Sequence, residues 1–351
     1  MEEVCIKGKS SLRQKDVMLE GPYPVYGASG IVGYLPSYQN GAPYVAVVKD
    51  GAGVGRACRC KGESSVLGTM QALIPSNDVD CSFLFHLVRS LRLGSGFSGS
   101  TIPHIYFKDY GKRIVHLPDL NGQRTIAAIL DGVESIVAIR ERYLAKLDDL
   151  RKSRFIEMFG DPCNSQCSTM SCCSIKQFCE VRIGPFGSAL HKSDYVLGGH
   201  ALVNPSHIVN GKIKVDKKLT VNEEKYASMK AYHLKEGDVV LGRRGEIGRC
   251  AVVDQEGLLC GTGSMILRPD ANLCLGEYLQ RVVSFPTFAE ALERDAVGVT
   301  MKNLNAKIVE KAVVVLPSMS LQREFISFVH QVDKLEFRCA GTPGEGDNAV
   351  R

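Results

Sequence analysis

Apolar residues along this chain follow two periods, and the same succession of them occurs twice. Residues 44–49 (Tyr-Val-Ala-Val-Val-Lys) form a short apolar run after a Gly-Ala-Pro break, and residues 66–74 form another. Both read as buried strands. Leu84, Leu87, Val88 and Leu91 then fall at i, i+3, i+4 and i+7, one face of a helix. Residues 113–117 return to strand and Pro118 closes the series. The succession recurs with strands at 238–242 and 247–253, a helix face of Leu275, Tyr278, Leu279 and Val282, and a strand at 313–316 closed by Pro317. Asn210-Gly211, between Ile208-Val209 and Lys212-Ile213, predicts a hairpin, because both central positions of such a turn need positive φ. Strands dominate and helices are local, so each half reads as α+β.

Between the halves the period changes. Residues 121–159 contain no proline and are rich in Ala, Leu, Ile, Glu, Arg and Lys. Ile126, Val133 and Leu147 lie on one seven-residue series, which Arg140 interrupts. Leu130, Val137 and Leu144 lie on a second, giving an a/d seam. Asn121 or Asp119 caps this helix and Gly160 ends it. At about 1.5 Å per residue it makes a rod of roughly 58 Å, a spacer between two domains. A shorter closing helix carries Leu321, Phe325, Phe328, Val332 and Leu335 at alternating spacings, capped by Ser318 or Ser320. It is expected to return antiparallel along residues 144–159 of the first. The stripe from Ile126 to Val137 would then stay uncovered, a docking face for another chain. The expected organisation is a domain at 1–120, a spacer helix at 121–160, a second domain at 161–318, a short helix at 319–338 and a disordered tail at 339–351.

The repeat extends to identities. Pro118, Gln123 and Arg124 match Pro317, Gln322 and Arg323 at one constant spacing, which also carries Gly99 and Thr101 onto Gly298 and Thr300. A slightly different spacing carries Gly55-Arg56 onto Gly248-Arg249 and Gly68-Thr69 onto Gly261-Thr262. Two similar surfaces held apart suit a ligand that itself repeats, and duplex DNA is such a ligand.

Composition narrows the class. The chain has 351 residues, 44% hydrophobic and 23% charged, as expected of a soluble protein of two or three domains. A net charge of +5 permits nucleic-acid binding without demanding it. Thirteen cysteines without a signal peptide point to a reducing cytoplasm. No apolar run approaches the roughly 18 residues needed to span a membrane. Cys163, Cys167, Cys172, Cys173 and Cys179 crowd together but lack the paired spacing of a zinc site, so no metal is expected. Hydrolase, zinc-protease and nucleotide-loop motifs are missing. Asn204-Pro-Ser-His207 is the nearest string to the target-base tetrapeptide of amino-methyltransferases, and it lacks the stacking aromatic. No glycine-rich loop for S-adenosylmethionine opens the chain. The expectation is a recognition protein without catalytic residues.

Gly51-Ala-Gly-Val-Gly-Arg56 and Arg243-Arg-Gly-Glu-Ile-Gly-Arg249 both read as tight turns beside a strand, edged by arginine. Arginine can grip a guanine edge at two points and also pair with phosphate. Lys49, Arg56, Arg59 and Lys61 face only Asp50 across residues 43–61. Lys212, Lys214, Lys217 and Lys218 likewise cluster around Asp216. The candidate DNA contacts are therefore Lys49, Arg56, Arg59, Lys61, Lys212, Lys214, Arg243, Arg244 and Arg249.

Together these features resemble the specificity (S) subunit of type I restriction–modification enzymes. Tyr23-Pro-Val-Tyr-Gly-Ala-Ser-Gly-Ile-Val-Gly33 looks like the opening of one target recognition domain. Gly184-Pro-Phe-Gly-Ser-Ala-Leu-His-Lys-Ser-Asp-Tyr195 looks like the opening of the other. Arg244-Gly-Glu-Ile-Gly-Arg249 and the Pro-x-x-x-x-Gln-Arg helix starts also match. Tyr26 and Ser29 in the first opening and Lys192 in the second join the candidate DNA contacts. The resemblance covers about residues 20–338. It implies two mixed β/α target recognition domains, related by a pseudo-two-fold and separated by coiled-coil spacer helices. Each would read half of a bipartite DNA site. Modification (methyltransferase) subunits would dock on the spacers, through Gln123, Arg124, Ile126, Leu130, Val133, Val137, Leu144 and Leu147, and through Gln322, Arg323, Phe325, Phe328, Val332 and Leu335. S-adenosylmethionine would sit on those partners, ATP and Mg²⁺ on a restriction (translocase) subunit, and no cofactor on this chain. The short second helix departs from the pattern and leaves a truncated, non-DNA-binding scaffold as one alternative. A fused DNA methyltransferase is another.

Overall fold

The computed structural model describes residues 1–98, 102–163, 171–186, 189–298 and 302–340, the side chains of Lys192, Cys339 and Ala340 excepted. Gly99, Thr101, Thr300, Cys167 and the expected tail beyond residue 340 lie outside that set. The chain divides into two compact units, Met1–Arg140 and Glu141–Arg351.

In the first unit, β1 (Cys5–Lys7), β4 (Tyr44–Val48), β5 (Ala57–Cys60) and β7 (Met70–Pro75) form an antiparallel sheet ordered β1-β7-β4-β5. Every residue of β4 is buried because both faces of this inner strand are covered. Val45 and Val47 pack with Leu84, Phe85 and Val88 of helix α1 (Cys81–Ser90), while Tyr44, Ala46 and Val48 pack on the other face with Val66 and Met70. This alternation is the two-residue period of a strand made visible. A smaller sheet, β2 (Tyr23–Gly27), β3 (Gly30–Leu35) and β6 (Ser65–Val66), pairs β2 with β6 in parallel. A one-turn helix, α2 (Phe107–Tyr110), follows. The long helix α3 (Leu120–Phe159) begins here, where Asp119 Oδ1 accepts the Gly122 N–H at 2.8 Å, and ends at Gly160 with φ +80°.

The second unit repeats this plan. After β8 (Cys172–Ser174) come β9 (Cys179–Ile183), β10 (Tyr195–Val196), β11 (His200–Val203), β12 (Ile208–Val209), β13 (Lys212–Ile213) and β14 (Thr220–Val221). Helix α4 (Glu223–Ser228), β15 (Val239–Gly242), β16 (Cys250–Val252), β17 (Leu259–Cys260), β18 (Ser264–Pro269), α5 (Gly276–Val283), α6 (Pro286–Asp295), α7 (Ala306–Lys311), β19 (Val313–Val315) and α8 (Met319–Ala340) follow. The main sheet is ordered β9-β18-β15-β16, the order of the first unit's sheet strand for strand. The parallel pair recurs as β11 with β17. The β12–β13 hairpin turns at Asn210 (φ +50°) and Gly211 (φ +73°), as the sequence demanded.

One expected strand is absent. Residues 113–117 are irregular, whereas their counterpart β19 pairs antiparallel with β8. The difference lies in the available partner. In the first unit the Met1 ammonium donates to the Arg113 carbonyl at 2.9 Å in place of a ladder.

The repeated Pro-x-x-x-x-Gln motif is a latch. Gln123 accepts the Asp80 N–H through its carbonyl at 2.9 Å and donates to the carbonyls of Asp78 and Pro118, both at 2.9 Å. Gln322 accepts the Leu275 N–H at 2.8 Å and donates to Leu273 and Pro317 at 2.9 and 2.8 Å. Asp80 and Leu275 are the N-caps of α1 and α5, so each glutamine ties a long helix to its unit's sheet-packing helix. Both side chains are buried. Gln123→Ala or Gln322→Ala would remove the side-chain partner of three backbone groups at a partly buried joint and should cost its unit about 2–4 kcal/mol, read as a shift in the denaturant midpoint.

Within the second unit, residues 141–159 of α3 run antiparallel to α8. Phe155 and Phe159 lie edge-on to Phe325, with ring centroids 5.4 and 5.5 Å away. Arg154 bonds Glu324 at 3.1 Å, and Arg151 bonds both Asp333 and Glu336. The buried stripe of α8 is Phe325, Ile326, Val329 and Val332, turned slightly from the expected seam, so that Phe328 is half-buried and Leu335 exposed.

Candidate nucleic-acid interface

The site is a pair of loops that each unit builds in the same way. After β4 the chain makes a glycine turn, with φ +93° at Gly51 and +84° at Gly55, and returns as β5. A Cβ at Gly55 would sit 2.1 Å from the Gly94 nitrogen, so only glycine fits there. The turn is bonded to a second loop: Gly51 N–H donates to the Pro103 carbonyl at 3.0 Å, and Ile105 N–H to Lys49 at 2.9 Å. Asp50 holds His104 Nδ1 at 2.7 Å. Ser98 and His104 close the second loop by exchanging backbone hydrogen bonds of 2.9 and 2.8 Å.

After β15 the same junction forms with different side chains. Leu304 N–H donates to the Arg243 carbonyl at 2.9 Å, and Val297 and Asn303 exchange bonds of 3.2 and 2.9 Å. Arg244 bridges to Asn303 as Asp50 does to His104. Arg243 Nε reaches Asn303 Oδ1 at 3.2 Å and the Leu304 carbonyl at 3.3 Å. Sequence reasoning missed this two-loop junction, although the Gly-x-Thr repeated at 99–101 and 298–300 was a signal in the sequence.

The candidates divide by what already holds them. Arg56, Lys61, Lys212, Lys214 and Arg244 are exposed, as are Lys217 and Lys218, and none of these takes part in an ion pair among the described residues. Ser29 is exposed in the β2–β3 turn. Tyr26 and Lys49 are half-buried, and the Tyr26 hydroxyl accepts the Lys61 N–H at 3.5 Å. The side chain of Lys192 lies outside the described residues.

Two arginines depart from expectation. Arg243 is only 7% exposed and serves to fix the loop. Burial, then the neighbouring Arg244, lowers its pKa from the usual guanidinium value. Arg59 turns away from the turns altogether. Its guanidinium lies 4.4 Å over the Phe85 ring, contacts His86 Nε2 at 2.9 Å and pairs with Asp131 on α3. Arg249 is partly held, its Nε on Glu246 at 3.1 Å. Charge was legible in the sequence, but the partners that Arg59, Arg243 and Arg249 had found were not.

Burial alone raises the Asp131 carboxyl; hydrogen bonds from Arg59 and His86 outweigh that and hold it below the usual range. His86, Asp131 and Glu134 present three ligand-type atoms within 4.8 Å. Both carboxylates are already bound by guanidinium groups, of Arg59 and Arg89, so the cluster reads as an ion-pair network.

Exposed apolar side chains adjoin the first junction: Phe97, Ile102 and Tyr106, the last stacked on His104 and approached by Lys108 at 5.4 Å. Of the spacer candidates, Leu147, Phe325 and Val332 are buried, as are both latch glutamines, and Leu144 is half-buried. Arg124 and Arg323 are exposed in the first turns of their helices, and Ile126, Leu130, Val133 and Val137 are exposed along α3.

Known proteins share this plan. The family model described as type I restriction modification DNA specificity domain matches residues 1–148 and 170–338. The C-terminal part of a putative type I specificity subunit from Mycoplasma pneumoniae is 34% identical over 84 residues, 23% of this chain and 54% of that protein. The EcoprrI type I restriction enzyme specificity subunit of Escherichia coli is 25% identical over 116 residues, 32% of this chain and 28% of that one. The chain thus spans about half or less of the curated relatives it matches. Among solved structures, the S subunit from M. genitalium superposes with a TM-score of 0.61 at 15% identity, covering 97% of this chain and 89% of the other. A structure described as underlying complex assembly and conformational transition of the type I R-M system gives 0.54 at 16% identity, covering 97% and 91%. No helix among the described residues is long and apolar enough to cross a membrane.

Proposed function

The chain belongs to the type I restriction–modification DNA specificity family, and from that premise we propose that it is the sequence-reading subunit of such an enzyme, each unit contacting one half of a bipartite duplex site. The carrying observation is the two-loop junction built twice, with Arg56 edging one copy and Arg244 the other. An exposed arginine on a rigid turn can make a bidentate contact to a guanine edge. The lysines on and after the β12–β13 hairpin supply phosphate contacts that position the duplex without reading it.

In this reading the chain does no chemistry of its own. Modification subunits dock on its long helices and bring S-adenosylmethionine and adenine methyl transfer. A restriction (translocase) subunit brings ATP and Mg²⁺, and the assembly works in the cytoplasm. A family match to specificity domains over both units favours this reading over a fused methyltransferase.

Arg56→Ala and Arg244→Ala should each relax discrimination at one half-site by roughly 10- to 100-fold and leave the other half intact. The measurement is selection of bound sequences from a randomised duplex library, with the chain in complex with its modification subunits. Equal loss at both halves, or none at either, would remove the half-site assignment. Arg243→Ala should instead loosen the second unit's loop and lower its stability.

A further inference from the structure

The second unit contains a cleft of about 1100 Å³, with the β12–β13 hairpin on one side and α5, α8 and residues 144–152 of α3 on the other. The carboxylates in its lining already have cations from the same lining. Asp148 holds Lys152 at 2.6 Å, Glu246 pairs with Arg249, and Asp333 and Glu336 both receive Arg151. The donors are not matched in the same way. Arg281 makes one ion pair, to Asp333 at 3.9 Å, the limit of such a contact. Burial lowers its pKa from the usual guanidinium value, and the Asp333 carboxylate does not make up the loss. Arg151 Nε is buried with no hydrogen-bond partner among the described residues. Gln280 is 7% exposed, and its carboxamide makes no hydrogen bond among the described residues. A Cβ on Gly211 would lie 2.8 Å from Gln280 Nε2, so the hairpin turn rests on that carboxamide. Buried amide and guanidinium groups are normally paired, and leaving them unpaired costs stability.

The first unit shows the same place closed. With the latched N-caps Asp80 and Leu275 aligned, Gln280 corresponds to Phe85 and Arg281 to His86, and the strand ladders set Arg59 at the position of Val252. There Arg59 lies over the Phe85 ring and meets His86 and Asp131. The second unit has a carboxamide for the ring and a valine for the covering arginine. It also inserts β12–β13 between β11 and β14, where β2 runs directly into β3 in the first unit.

We propose that this cleft binds a small phosphorylated ligand, a phosphate ester with a flat or apolar body, whose phosphate takes the free donors of Arg281, Arg151 and Gln280. The inference stands on those unmatched donors and not on DNA reading. Guanidinium groups suit phosphate because their N–H donors match its oxygens at two points. A carboxylate has two oxygens for three donor groups on two helices, whereas a terminal phosphate has three. Ile208, Ile247 and Phe337 give the body of the ester an apolar wall, and the cleft is large enough for a molecule of nucleotide size. The backbone of a duplex offers the same phosphate chemistry. It is the poorer occupant, because the side chains of Arg281 and Arg151 are recessed, at 30% and 9% exposed. An occupied cleft fixes the hairpin on α5.

The probe is adenosine 5′-monophosphate, titrated into the full chain by calorimetry, with inorganic phosphate as the anion alone and adenosine as the body alone. Saturable binding of the monophosphate is expected, tighter than that of phosphate and about tenfold or more tighter than that of adenosine. Arg281→Gln and Gln280→Leu should each weaken it by about tenfold or more. Lys307→Gln removes the same charge from an exposed position on α7 and should leave it unchanged. Hydrogen exchange on the unaltered chain should slow across residues 208–213 when the monophosphate is added, a readout that needs no variant. Duplex binding by the Arg281→Gln chain should match the parent's. Four results would overturn the proposal: no saturable binding of the monophosphate; binding no tighter than that of adenosine or of inorganic phosphate; binding indifferent to Arg281→Gln; or displacement of the monophosphate by duplex together with weaker duplex binding by Arg281→Gln, which would give the cleft to the DNA backbone.

Discussion

Raising salt from about 50 to about 200 mM is expected to weaken duplex binding by on the order of a thousandfold. Seven exposed cations carry this expectation: Arg56, Lys61, Lys212, Lys214, Lys217, Lys218 and Arg244. None is paired with a carboxylate among the described residues, so each is available to displace a counterion from the phosphate backbone. With about six phosphates neutralised, the slope of log affinity against log salt is near −5. The arginines already held by other groups make a contrasting prediction. Arg59 is committed to Asp131 and Arg243 to Asn303 and Leu304, so their replacement should leave the slope unchanged. Lys217→Gln with Lys218→Gln should flatten it by about 2 while preserving sequence preference, because phosphate contacts position without specifying. A flat salt profile for the intact chain would contradict phosphate contact by these loops.

What could be read in advance follows from where each physical signal resides. Strand β4 announced itself by five consecutive apolar residues, and the hairpin by Asn210-Gly211, because both depend on local backbone preferences. The long helix was legible for the same reason, and the seven-residue series along it told where apolar side chains lie. It did not tell which would be covered. Leu147 is buried and Val133 is exposed, although both belong to one series: α8 runs beside the second half of α3, whereas α1 meets the first half along its Gln123, Asp131 and Glu134 side and leaves Val133 open. Residues 113–117 have the composition of a strand and lack a ladder partner. The arginines show the same limit. Arg56 and Arg59 stand three residues apart in one basic cluster; one is free, and the other reaches across to α1 and α3. The repeat was the one long-range signal in the sequence, and the latch glutamines show what it encoded: a joint between helices whose partner groups, Asp80 and Leu275, lie far from the motif itself.

The largest loss of stability is expected from Arg268→Ala, at about 3–5 kcal/mol in the second unit. Asp238 lies at the start of β15 with its side chain 2% exposed. Arg268 on β18 donates to it twice, through Nε at 2.8 Å and Nη2 at 2.6 Å, and also to the His233 carbonyl at 3.0 Å. These bonds to Asp238 hold the guanidinium above its usual pKa despite its partial burial. Truncation leaves a buried carboxylate with the Lys235 N–H as its remaining donor, at 2.8 Å. Water cannot easily replace the lost partner, which is why breaking such a pair costs more than the pair itself contributes. The first unit holds the comparison. Val239 pairs with Leu267 and Val45 with Leu73, so the cross-strand positions of Asp238 and Arg268 are occupied there by Tyr44 and Ile74, which pack together in an apolar cluster. One sheet therefore exists with an ionic pair and with an apolar pair at the same place. Asp238→Tyr combined with Arg268→Ile should recover most of the stability that Arg268→Ala loses. Denaturant unfolding of the three chains measures both numbers. A single variant within 1 kcal/mol of the parent, or a double variant no better than the single, would mean that Asp238 is reached by solvent and that the pair is a surface contact.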